Sequence, residues 1–93
     1  MMVNSLIVME NQIYMENKLI EFFKDNFMVD LNHEFSRTDS FLENGIIDST
    51  GVLELVMFLE ENFKLNVNDD EIRPENLDSL ENLVAYIKRK KNL

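Results

Sequence analysis

Three stretches of apolar residues recur at the helical period, and they leave this chain little choice of architecture. In residues 49–63, Val52, Leu55, Val56, Leu59 and Phe63 follow i, i+3, i+4, i+7 and i+11, the spacing that lines one face of an α-helix. In residues 10–27, Ile13, Ile20, Phe23 and Phe27 share a stripe, widened by Met15, Leu19 and Phe22. Glu10, Glu16, Lys18, Glu21, Lys24 and Asp25 fall mostly on the other side. In residues 79–90 the stripe is Leu80, Leu83, Val84 and Ile87. Two glycines and one proline in 93 residues leave too little turn chemistry for an all-β fold. The spacing predicts an all-α protein, a four-helix up-down bundle with three longer helices and a short third helix.

The connections follow from what lies between the stripes. Residues 28–47 read as a long loop, pinned to the core by Phe35, Phe41, Leu42 and Ile46, and loops of that length in small domains tend to be functional. Asn68-Asp69-Asp70-Glu71 suits the start of the short helix, because acids complement a helix N-terminus, and Pro74 is expected to stop it. Asp78, with Glu81 three residues later, is expected to cap the last helix. Lys88, Arg89, Lys90 and Lys91 then complement its C-terminal dipole. Residues 1–9 show no clear period. They read as an N-terminal extension, either a flexible arm or an extra helical turn, before a single domain over 10–91.

Charge and composition narrow the function classes. The formal net charge is −9, and all eighteen acids precede Lys88. Such a surface repels phosphate backbones, so nucleic acid is excluded as a partner and basic protein surfaces are favoured. There is no cysteine, hence no disulfide and no thiolate metal site, and any thiol the protein works with must be added to it. No apolar run is long enough to span a membrane, and no signal-peptide pattern opens the chain, so a cytoplasmic monomer is expected. Asp30, Asn32 and Glu34 imitate the start of a calcium loop, but its sixth position is Phe35 and its twelfth Phe41, which rules that reading out. His33, the only histidine, has no second ligand near it in sequence and reads as a solvated loop residue. A Ser-His-Asp triad has no support.

The informative stretch is Asn44-Gly45-Ile46-Ile47-Asp48-Ser49-Thr50-Gly51. Asp48 can cap the second helix by accepting from its first-turn amides, which leaves the Ser49 hydroxyl exposed at a rigid helix start. Opposite and flanking the buried stripe, the same helix turns Thr50, Leu53, Glu54, Met57, Glu60 and Glu61 to solvent. Two apolar residues ringed by acids suit docking to a basic, partly greasy surface.

With those residues in view, the layout over roughly 10–90 resembles that of acyl carrier proteins. In that family a "DSL" site supplies the serine that carries 4′-phosphopantetheine, and this chain reads "GIIDST"; "LEENF" at 59–63 and "LENLVAYI" at 80–87 also fit the family pattern. The resemblance implies that Ser49 is the attachment residue, with Asp48, Thr50, Leu53, Glu54, Met57, Glu60 and Glu61 contacting partners. It implies a carrier without catalytic site or metal. Its partners would be a phosphopantetheinyl transferase and then an acyl- or aminoacyl-activating ligase, synthase or acyltransferase with a basic docking surface. Thr50 departs from the usual leucine, and "IIDSTG" is also similar to the "LLDSxG" of D-alanyl carriers, so acyl and aminoacyl cargo both stay open. A third reading is an acidic helical interaction module that is never modified.

Overall fold

The structure, a computed structural model, describes residues 2–92. Met1 and the side chains of residues 2–10, including the Glu10 assigned to the polar face, lie outside that description. Helix α1 runs Met2–Phe27, α2 Ser49–Phe63, α3 Pro74–Leu77 and α4 Leu80–Lys91, with a single 3-10 turn at Asp69–Glu71. Among the described residues there is no strand. The three long helices are those expected, with α1 starting well before residue 10, and a short third helix is present, though it lies after Pro74 instead of before it. At 1.5 Å per residue α1 is about 39 Å long, close to the molecule's longest extent of 41 Å.

Burial explains why each stripe becomes a helix here. Leu19 and Phe23 of α1, Leu55 and Leu59 of α2, and Leu83 and Ile87 of α4 are fully buried against one another. The core meridian of α1 is Met15–Leu19–Phe23, so Ile13, about 120° around the helix from Leu19, is 56% exposed instead of buried as its stripe predicts. α4 buries Tyr86 as well, because its hydroxyl finds a partner in the Glu71 carboxylate at 3.0 Å.

The long loop is anchored by Leu31, Phe41, Ile46 and Ile47. Phe41 and Ile46 act as expected, Phe35 is half-buried, and Leu42 is left 46% exposed. The loop is stitched to the junction of α3 and α4 by Phe41 N to Asp78 O at 2.9 Å and Glu81 N to Arg37 O at 3.0 Å. Acids of its first turn are used locally: Asp30 accepts from Asn32 N at 3.0 Å and meets the Nδ1 of the exposed His33 at 2.7 Å.

Two boundaries differ from expectation. Pro74 does not stop the short helix but opens it as its first residue. A proline there loses nothing, since the first helical amide has no intrahelical partner, and it holds the preceding Arg73 extended at φ −143° and ψ 152°. The acids 69–71 form the separate 3-10 turn. The cap of α4 is Ser79, whose hydroxyl accepts from Asn82 N at 3.1 Å, rather than Asp78. Asp78 instead accepts from Leu42 N at 2.9 Å and from the Ser40 hydroxyl, so its carboxylate binds the long loop.

Candidate functional site

The start of α2 is the point on which the loop, α1 and α3 converge. Asp48 is the N-cap, extended at φ −104° and ψ −175°, and its Oδ1 accepts from Gly51 N at 2.8 Å. Ser49 is therefore the first helical residue, and Asp48, Ser49 and Thr50 are all exposed. The first turn of α2 contains no acid. Asp48 engages the Gly51 amide, so the remaining first-turn amides and the positive end of the helix dipole lie beside Ser49 together with that one capping carboxylate.

Gly51 fixes how close that turn comes to its neighbours. It is buried, and a Cβ on it would lie 3.2 Å from Ile47 Cγ2 and 3.2 Å from Phe27 Cε1. The last residue of α1 and the loop residue before the cap both press on the base of the turn. Ser49 therefore stands on a rigid seat.

Beside Ser49 opens an apolar cavity of about 360 Å³. Phe41, Ile47 and Leu77 supply its buried walls, and Val52, Leu53 and Ile72 continue them to the mouth. Ser49, Asp78 and Arg73 are the polar residues at its edge. Arg73 is exposed and loosely paired with Glu75 at 3.6 Å. Sequence reasoning missed Arg73 and the bridging role of Asp78; the Arg-Pro step, which forces an extended turn, was the available signal for the first.

The arc of α2 expected to face solvent does so for the most part. Leu53 is 59% exposed and Met57 60%, and Thr50, Glu54 and Glu61 are exposed with them. Glu60 differs. It is half-buried, and its Oε2 accepts from Val67 N at 3.0 Å, which fastens the segment after α2 to the helix.

The basic run at the end of α4 is engaged within the molecule. Lys88 Nζ donates to Gln12 Oε1 of α1 at 2.7 Å, and Arg89 Nη2 to Asn76 Oδ1 of α3 at 2.7 Å. Lys90 Nζ donates to Glu71 Oε1 of the 3-10 turn at 2.9 Å, and Lys91 Nζ to the Phe63 carbonyl ending α2 at 2.6 Å. Each cation ties α4 to a different element. Glu71 also accepts from Asn68 N at 2.9 Å, and that amide together with Lys90 holds its carboxyl below the ordinary range. Burial, with the Glu71 carboxylate beside it, pushes the Tyr86 hydroxyl up. At Glu16 burial works upward, but hydrogen bonds from Arg37 and Gln12 outweigh it and keep the carboxyl low.

Among the described residues no helix is long and apolar enough to cross a membrane. No family model matches the chain. It is 37% identical over 67 residues to the acyl carrier protein of Helicobacter hepaticus, covering 72% of this chain and 84% of that protein. It is 29% identical over 77 residues to a probable acyl carrier protein, PigG, of a Serratia strain, covering 83% and 88%. To the acyl carrier protein of Akkermansia muciniphila it is 45% identical over 49 residues, covering 53% and 59%.

Proposed function

This chain belongs to the acyl carrier protein family, and from that premise we propose that it bears an acyl group as a thioester on a 4′-phosphopantetheine arm attached to Ser49 and delivers it to partner enzymes. As a member of that family it is a carrier and not an enzyme. The observation that supports the reading best is the exposed Ser49 at the first position of α2, beside an apolar cavity of about 360 Å³.

The chain's own part in the chemistry is small and definite. In the active site of a phosphopantetheinyl transferase the Ser49 hydroxyl gives its proton to a transferase base and its oxygen attacks the β-phosphate of coenzyme A; the pyrophosphate P–O bond breaks, 3′,5′-adenosine diphosphate leaves, and the transferase's metal offsets the charge. Asp48 holds the turn that presents the hydroxyl. The first-turn amides of α2 and the helix dipole favour the phosphate once it is joined. The arm brings the thiol that a chain without cysteine lacks. A thioester on it is kept at high effective concentration near each partner's site. Thr50, Leu53, Glu54, Met57 and Glu61, with Asp48, form the surface offered to partners, and Glu60 joins it at its edge with one oxygen held by Val67. Those partners are the transferase, then an acyl-activating ligase, synthase or acyltransferase with a basic face. Residues 10–91 are the carrier domain, 1–9 an extension of it, and the cytoplasm its place of action.

Intact mass tests the assignment. Incubated with coenzyme A and a broad-specificity transferase, the wild type gains one phosphopantetheine mass. Ser49→Ala gains none while its far-UV circular dichroism is unchanged. A mass gain that persists in Ser49→Ala sinks the assignment.

A further inference from the structure

The carboxylates of α2 that have no hydrogen-bond partner among the described residues look towards α1. Glu60, on the flank facing the segment after α2, is held by Val67 N. Glu54 and Glu61 instead line a groove of about 490 Å³ between α1 and α2. Across it stand Glu21 and Asp25 of α1, both exposed. The floor is aromatic: the Phe22 and Phe58 rings stack with centroids 4.2 Å apart and planes 26° apart, with the exposed Met57 beside them. The one cation on the walls, Lys18, leans over the Tyr14 ring, 5.7 Å from its centroid. The groove is thus a greasy, aromatic trough with two carboxylates on each wall.

We propose that this groove binds a basic amphipathic helix of a partner enzyme, so that the partner's footprint crosses from α2 onto α1. The proposal rests on the carrier reading for there being a partner at all, and it adds where that partner's cations go. Charge complementarity selects the occupant. Four carboxylates against a single ammonium attract arginine or lysine and repel acidic and phosphate surfaces. The phenyl rings favour guanidinium groups, which stack on aromatic faces, and the apolar residues between them. A furrow between two packed helices takes a third helix, with anchors one turn apart.

The test uses the unmodified full chain and a synthetic helical peptide with arginine and leucine at i and i+4. In a heteronuclear NMR titration, shifts concentrate at the amides of Glu21, Phe22, Asp25, Met57, Phe58 and Glu61. Glu21→Lys/Asp25→Lys weakens binding by about fivefold or more at low salt, as expected for reversing two exposed ion pairs. Both residues are exposed, and a lysine at position 25 suits the C-terminal end of α1, so the variant stays folded. The charge-matched Asp69→Lys/Asp70→Lys, on the 3-10 turn, binds as the wild type does. Equal weakening by the two double variants means attraction to net charge alone and overturns the proposal. Shifts centred on residues 69–77, or an unchanged affinity for Glu21→Lys/Asp25→Lys, overturn it too. Failure of Ser49 to accept the arm leaves this titration intact, and failure of the titration leaves the Ser49 mass result intact.

Discussion

Gly51 is where the geometry of Ser49 is set. Its amide satisfies the Asp48 carboxylate, and its missing side chain lets Phe27 and Ile47 reach the backbone of the first turn. Gly51→Ala puts two opposing contributions in competition. Alanine gains about 1 kcal/mol of helix propensity over glycine. Against that, a Cβ at 3.2 Å from two apolar groups overpacks the seat, which costs about 1–3 kcal/mol. The expected outcome is a net loss of stability of up to about 2 kcal/mol in urea denaturation, with slower modification of Ser49 by the transferase. A stabilised variant would show that Phe27 and Ile47 yield freely. The cap and the serine were legible as a local pattern, because both act within four residues. The need for glycine was not, because Phe27 lies on another helix.

At the scale of elements, the 3-10 turn and α3 are short and hold their place through side chains from α4. Glu71 is the centre of that attachment, accepting from Asn68 N, Tyr86 and Lys90. Its carboxyl titrates below the ordinary value of 4.5, chiefly because of the Asn68 amide and then Lys90. A depressed carboxyl contributes stability that is complete above its unfolded value and is lost as pH falls through its folded one. The melting-temperature gap between wild type and Glu71→Gln should therefore be widest near neutral pH and close as pH falls below the ordinary carboxylate value of 4.5 and through the lower folded one. Glu16 and Asp30, also held low, leave a residual acid slope in the variant. A gap that stays constant through that range would remove Glu71 from the acid limb. The same elements show how a true local signal can be assigned to the wrong end. Pro74 punctuates the chain as expected, but a proline fits the first residue of a helix as readily as the position after its last, and the burial of Leu77 and its packing on α4 decide between them.

For the whole molecule, the question is what the apolar cavity beside Ser49 does. A marginally stable domain of this size has about 5–15 kcal/mol in hand, and each methylene withdrawn from water adds about 0.8 kcal/mol. An aliphatic thioester that folds back from Ser49 into the cavity should raise the melting temperature with every added carbon. The increments are about 3–6 °C per methylene, given 4–8 °C per kcal/mol for a domain of this length. The rise ends when the 360 Å³ is filled. Melting curves of the protein loaded with arms of increasing chain length check this. A flat series would leave the cavity without a role for cargo and favour the polar aminoacyl cargo that the "IIDSTG" sequence also allows.

Periodicity and the chemistry of a few residues determined the number of helices, the core faces of α2 and α4 and the exposed serine after Asp48, because helix formation and capping depend on neighbours within one or two turns. The tertiary structure decided what depends on residues far apart in the chain. Asp78 left the cap of α4 to hold the loop at Leu42, Glu60 turned to Val67, and Ile13 rotated out of the core. The basic tail became a set of ties to four elements. In each case a polar or apolar side chain had more than one local use, and only packing, which brings distant donors within hydrogen-bonding distance and fixes which face is dry, selected among them.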